Sequence, residues 1–346
     1  MADPVEQGWL RDLWYLALPG RELARGRMVV RSVLGERLLF GRTDEGQVFC
    51  FKDFCPHRGI PLSFGRFDGR EVECCYHGWR FSADGRCTAI PSLVEGQAFE
   101  PGRIKAKTLP AREVQGNIWI FAGADPSAAP PIPMVPDVGD RPADLLEKMP
   151  FGCAMDHAVV GLMDPAHGPF VHRTWWWRSA ASIHEKAKRF VPSDLGFTMA
   201  RHRPSSNSRA YRIIGGTPET EISFRLPGVR IEHIRTEKVV VGALTAVTPI
   251  DAKTTQIHHA IWWTRPWLSL FRPFFRPFAR AFLGQDRDIM AMQAIGLAED
   301  PPLMLIDDAD TQAKWYYRLK KEWSASRAEG RGFVNPVKER VLRWRS

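Results

Sequence analysis

Apolar and polar positions alternate along much of this chain, and the alternation changes character part-way through. In the first third, Arg27–Val33, 37–42 and Val48–Lys52 are short apolar or β-branched runs, and Asp44-Glu45-Gly46 supplies a hairpin turn. Asn117-Ile118-Trp119-Ile120-Phe121 reads as a buried strand closing this part. Prolines then crowd residues 125–150 (positions 126, 130, 131, 133, 136, 142 and 150), which predicts a linker. A helix is expected over 153–164. Longer alternating runs at 219–226, 229–235, 238–247 and 255–264 predict an antiparallel sheet around a substrate-sized interior, and 308–323 reads as a closing helix. The pattern divides the chain into a small β domain (1–124), the linker (125–150) and an α+β domain (151–346).

The 346 residues are enough for two domains with cores of their own. The first eight residues are polar and acidic, unlike a secretory leader, and no apolar run approaches membrane-spanning length. With six cysteines in such a chain, a reducing cytoplasm is the expected location. The net charge is +9, but arginines are spread along the sequence and no nucleic-acid motif occurs, so nucleic acid is not an expected partner. Arg58, Arg66, Arg70, Arg80 and Arg86 either steer an acidic electron donor or form a solvated basic surface.

Two segments carry metal-ligand chemistry. Cys55-Pro56-His57-Arg58-Gly59 and Cys74-Cys75-Tyr76-His77-Gly78-Trp79-Arg80-Phe81 each pair a thiol with an imidazole. Two thiolates and two imidazoles suit a [2Fe–2S] cluster in which His replaces Cys on one iron. A Cys2His2 zinc site uses the same donors, but usually as separate Cys-Cys and His-His pairs. Further on stands Asp164-Pro165-Ala166-His167-Gly168-Pro169-Phe170-Val171-His172. Residues five apart on an unbroken helix lie about 140° apart around its axis, too far to share an ion. Gly168-Pro169 is expected to break the helix and let both imidazoles converge. Two His and a carboxylate on one face of Fe(II) leave positions open for O2 and substrate.

These motifs together resemble the Rieske non-haem iron oxygenases, and Trp14-Tyr15 with the run from Cys55 to Leu62 looks like the vanillate-demethylase branch of terminal oxygenase components. The resemblance covers nearly the whole chain. It implies a Rieske [2Fe–2S] β-domain followed by a helix-grip catalytic domain. The implied cluster ligands are Cys55, His57, Cys74 and His77, with Cys74 preferred to Cys75 on family spacing. Cys75 stands where the family usually has Pro, and no partner for a respiratory-type loop disulfide is apparent. The implied iron ligands are His167, His172 and Asp286, with Asp288 as the rival carboxylate in 285–293. Asp164 is implied to bridge His77 of one subunit to His167 of its neighbour, so a homotrimer is expected.

The resemblance further implies monooxygenation, by hydroxylation or O- or N-dealkylation, of an apolar aromatic or polycyclic substrate. Electrons would come from a ferredoxin or flavin reductase, since no Gly-rich dinucleotide fingerprint is present. The rivals are a cis-dihydroxylating dioxygenase and an electron-transfer protein without oxygenase activity. Gly161 and Val160 stand where many relatives carry Asn, which leads to the expectation of an unusually apolar pocket. Trp175-Trp176-Trp177 is a candidate pocket wall. The Phe/Arg/Pro segment 271–282 is read either as a lid or packing element, with membrane contact as the alternative, and Pro273 and Pro277 argue against a regular helix there.

Overall fold

A computed structural model describes residues 8–172, 183–204 and 216–346. Packing separates two units, with residues 11–132 in the first and 133–346 in the second.

The first unit is all β. Its strands are β1 (Trp14–Pro19), β2 (Arg27–Val33), β3 (Glu36–Arg42), β4 (Val48–Lys52), β5 (Arg66–Phe67), β6 (Glu71–Glu73), β7 (Arg80–Ser82), β8 (Cys87–Ala89), β9 (Ala111–Val114) and β10 (Asn117–Phe121). They form three antiparallel sheets in the orders β1-β10-β9, β2-β3-β4 and β5-β6-β7-β8. Asn117–Phe121 is buried at every position, as its unbroken apolar run requires of a central strand. Leu39, Phe49, Phe51, Leu62, Val72 and Phe81 build a core that also encloses the Cys55, Cys74 and Cys87 side chains.

The second unit begins inside the stretch read as a linker. Residues Leu145–Phe151 form β11, the edge strand of an eight-stranded antiparallel sheet, so the 125–150 boundary is corrected. Pro150 misled the reading. Proline is excluded from central strands but tolerated on an edge, and Pro150 lies opposite Gln256 there. The remaining elements are α1 (Met155–Met163), α2 (Gly168–Val171), β12 (Glu185–Ser193), β13 (Gly196–His202), β14 (Glu219–Arg225), β15 (Val229–Arg235), β16 (Val240–Pro249), β17 (Thr255–Trp263), α3 (Arg272–Leu297), α4 (Thr311–Ala328) and β18 (Arg340–Arg345). The sheet order is β11-β17-β16-β15-β14-β13-β12-β18.

One face of this sheet is covered by helices. Phe224 of β14 meets Tyr316 of α4 edge-on, and Glu147 of β11 accepts from Arg276 of α3. The start of α1 is tied to α4, where Tyr316 Oη and Lys320 Nζ both donate to Asp156 at 2.7 Å. That carboxylate sits in the first turn of α1, where the helix dipole favours negative charge.

Helix α3 overturns the expectation that prolines keep 271–282 from forming a regular helix. Pro273 occupies the first turn, where its missing N–H costs nothing. Pro277 lies inside the helix, next to an arginine held by a carboxylate of the sheet. The three adjacent tryptophans at 175–177 lie outside the described residues.

Candidate metal centres

The two cysteine–histidine loops have one backbone plan. Cys55 N donates to Ile60 O and Gly59 N to Cys55 O; Cys74 N donates to Trp79 O and Gly78 N to Cys74 O. Each loop therefore closes over five residues, and each closes on a glycine at positive φ, 73° at Gly59 and 69° at Gly78. On this shared plan the first loop presents its His at the second position after Cys and the other at the third. The two imidazoles meet with ring centroids 4.6 Å apart. His57 also stacks on Trp79, 4.4 Å away and nearly parallel. Asp53 pins the stems of the first loop by accepting from Ser63 N, Ser63 Oγ and Arg37 Nε.

The thiols of Cys55 and Cys74 are both buried and close enough to influence each other's ionisation. Burial, with the neighbouring Cys74 adding to it, pushes the Cys55 thiol up to about 11. Two buried thiols side by side resist becoming thiolates unless a cation compensates. Burial and the charges of His77 and Arg58 push His57 down, which favours the neutral, ligating imidazole. Two thiols below and two imidazoles above thus fit an iron–sulfur cluster with mixed ligands. Cys75, in contrast, is exposed. We expect Cys75→Ala to keep the visible absorbance and reduced-state EPR signal of a cluster, and Cys74→Ala to lose both. The opposite outcome would assign the ligand to Cys75.

In the second unit His167, His172 and Asp286 bring one donor atom each within 4.8 Å of one another. The Nε2 atoms of the two histidines are 3.2 Å apart, and Asp286 Oδ1 lies 3.3 Å from His172 Nε2 and 3.7 Å from His167 Nε2. Donors sharing one ion at roughly 2.1 Å are separated by about this much.

Local sequence explains how the histidines converge. Asp164 precedes Pro165, so it leaves the helical region (ψ 121°) and α1 stops. Gly168-Pro169 does not break a helix, as the sequence suggested, but starts one, because proline fits a first turn. The result is the four-residue α2 with His167 before it and His172 after it. His172 has left helical geometry (φ −92°, ψ 55°), which frees its ring from the helical angle between positions five apart. The carboxylate arrives from α3, where Leu283, Asp286 and Met290 form the buried side. The rival Asp288 is exposed and bonds to Arg287.

A buried carboxylate needs a compensating charge. Among the described residues, the His167 and His172 rings lie against the Asp286 carboxylate. Two imidazole nitrogens 3.2 Å apart beside a carboxylate are a donor set for a cation. Such a set suits a 2-His-1-carboxylate iron. His172 is fixed from behind by Gln285 Oε1, 2.9 Å from its Nδ1, and by Phe282 stacked on its ring at 3.8 Å. His167 Nδ1 is buried, with Asp164 Oδ2 at 3.6 Å, while Asp164 Oδ1 accepts from Ala166 N at 2.7 Å. Burial pushes His167 down, but Asp164 and Asp286 outweigh it and its net shift is upward.

Gln285 and Phe282 fall in segments that the sequence reading singles out, but that reading gives neither a role beside His172. Gly161 has a packing role: a Cβ there would lie 2.9 Å from Met290 Sδ, so glycine lets α1 and α3 approach. Across the helix-covered face of the sheet, His259, Thr245 and Arg230 stand in register, with His259 Nδ1 2.8 Å from Thr245 Oγ1 and Arg230 donating to Glu232. Arg230 and Thr245 line a hollow with Val159, Leu162 and Met163, the turn of α1 that leads into Asp164. Burial and the charge of Arg230 push His259 down to about 4, so it stays neutral near pH 7. The hollow is small and its surface is largely apolar, with Arg230 and Thr245 among its lining residues.

Comparison with known proteins places both centres in known domains. The family description "Rieske [2Fe-2S] domain" matches residues 13–109, and "Vanillate O-demethylase oxygenase C-terminal domain" matches 155–322. The oxygenase component of chloroacetanilide N-alkylformylase from Rhizorhabdus wittichii is 36% identical over 169 residues, 47% of this chain and 47% of that protein. Chlorophyllide a oxygenase from Chlamydomonas reinhardtii is 33% identical over 178 residues, 50% of this chain and 26% of the algal protein. The matched segments thus span a quarter to a half of these curated relatives. A caffeine-bound NdmA variant from Pseudomonas putida has the same fold (TM-score 0.71, 17% identity), with 95% of this chain and 94% of that one covered.

Proposed function

This chain belongs to the Rieske non-haem iron oxygenases, and from that premise we propose that it is the terminal oxygenase of a multicomponent system. The observation that carries the reading is the His167–His172–Asp286 triangle, set in a vanillate-demethylase-type domain downstream of the paired cysteine–histidine loops. We assign Cys55, His57, Cys74 and His77 to the cluster, and His167, His172 and Asp286 to the iron. When bound, the cluster supplies one-electron transfer and the iron supplies O2 activation.

The chain's own residues then have distinct tasks. Gln285 holds the His172 ring through Nδ1, which fixes its orientation and leaves Nε2 pointing at the donor triangle. Phe282 packs on the same ring and keeps water from that side. Asp164 holds a negative charge beside His167 Nδ1. In a homotrimer, we propose, it also faces His77 of the partner subunit. The substrate has an apolar body, suited to Val159, Met163, Phe224 and Val247, and Arg230 and Thr245 are the polar residues of the same lining that would orient it. A ferredoxin or flavin reductase would supply electrons in the cytoplasm, where the six cysteines stay reduced. Among the described residues no helix is long and apolar enough to cross a membrane.

The reaction proposed is monooxygenation, with O- or N-dealkylation as the main form; the N-alkylformylase relative supports it. With a suitable reductase and labelled O2, an aryl methyl ether should release formaldehyde, and a hydroxylated product should carry one labelled atom. A cis-diol carrying two labelled atoms would assign the chain to dioxygenation. A fully loaded cluster with no iron retained at His167 and His172 would leave only electron transfer.

A further inference from the structure

One aromatic contact in the first unit joins the two cysteine–histidine loops. Trp79 belongs to the second loop, which it closes by accepting from Cys74 N with its carbonyl. Its side chain, however, lies over the histidine of the first loop. The Trp79 and His57 rings are stacked, 4.4 Å apart and 2° from parallel. Among the described residues His77 has no such cover, since its ring neighbours His57 and Tyr76 are tilted to it by 58° and 33°. Tyr76 is also exposed, whereas Trp79 is half-buried and packs against the core of the first unit.

Hydrogen bonding does not explain where this ring sits. The Trp79 indole nitrogen is buried with no acceptor among the described residues, as is that of Trp119 in β10. What the placement does provide is one flat face against another. An imidazole pressed on an indole cannot turn about its Cβ–Cγ bond without losing the contact, so its nitrogens keep one direction. The covered face is also closed to water. The face that covers it is electron-rich, which disfavours additional negative charge beside it.

We propose that Trp79 is a positioning residue for the cluster: it holds the His57 ring in one orientation and, by covering that ring, lowers the reduction potential. The inference rests on the assignment of His57 to the cluster and is independent of the substrate. Its sign follows from charge. Reduction adds one negative charge, which water stabilises and an aromatic cover opposes, and solvent exposure is one of the factors that set such potentials. Opening the cover therefore raises the potential.

Variants of the full, cluster-loaded chain separate this role from simple packing. Trp79→Phe and Trp79→Tyr keep a flat face for His57, whereas Trp79→Leu and Trp79→Met keep apolar bulk without one. Reductive titration followed by visible absorbance should place both aliphatic variants above wild type in potential. At the wild-type midpoint their ratio of reduced to oxidised cluster should be about threefold higher or more, and that of the aromatic variants within about twofold. Pulsed EPR of the reduced cluster should show one of the two histidine nitrogen couplings broadened in the aliphatic variants only. Loss of the cluster from both aliphatic variants, with both aromatic ones loaded, would show the same dependence through retention. Leu39→Ala, which opens a cavity in the same core, should lower the melting temperature and leave potential and couplings unchanged. Equal potentials across the set, a fall in the aliphatic variants, or an ordering by side-chain volume would overturn the proposal and leave the oxygenase reading standing. Wild type that loads no cluster would overturn both.

Discussion

Replacing Asp286 with alanine is expected to strip most mononuclear iron from the protein while the cluster spectrum stays intact. The carboxylate is one corner of a triangle whose other corners are imidazoles 3.3 and 3.7 Å away. Removing a group that merely orients a ligand typically costs about 10–100-fold in metal affinity or activity. Removing one of three direct donors should exceed that, so turnover should fall by at least about 100-fold. Asp288→Ala is the matched control. Asp288 lies about 200° around the helix from Asp286, is exposed, and bonds only to its neighbour Arg287 among the contacts seen. Its loss should leave iron content unchanged and stability within about 0.5 kcal/mol. Iron analysis beside visible absorbance separates the two variants. Equal iron retention in both would remove Asp286 from the ligand set.

The contrast between these two aspartates shows how far the sequence could be read. Ligand chemistry is written in short spacings, so Cys55, His57, Cys74, His77, His167 and His172 stand out in a single chain. Strands β2, β4, β10 and β15 could be bounded to the residue, because alternating or unbroken apolar runs report a half-buried or central strand directly. Strand β11 was hidden, because Glu147, Lys148 and Pro150 disguise an edge strand as a linker. The length of α3 was hidden for a related reason. Its prolines argue against a helix, and the partners of Arg272 and Arg276 are buried carboxylates 128 and 129 residues away in sequence. The polar wall of Arg230, Thr245 and His259 depends on register across three strands, which no local window contains.

The conservative change Asp164→Asn tests the residue between the two centres' chemistries. Asp164 does two things with two oxygens. Oδ1 accepts from Ala166 N at 2.7 Å and shapes the turn that leads to His167. Oδ2 faces His167 Nδ1 at 3.6 Å and, with Asp286, holds that ring's affinity for a proton up against the effect of burial. Asparagine keeps an oxygen for Ala166 and nearly the same shape, so the loop, the donor triangle and the iron should persist. What it removes is the negative charge behind His167 and, in the proposed trimer, the acceptor facing His77 of the partner subunit. Iron and cluster contents should therefore match wild type, and turnover should fall by about 100-fold or more, at the upper end for a group acting behind a metal ligand. Asp164→Ala should lose iron as well, since the turn loses its acceptor. Full turnover in Asp164→Asn would reduce Asp164 to a loop-shaping residue. Loss of iron in it would show that the charge holds the metal site together and is not a link between centres.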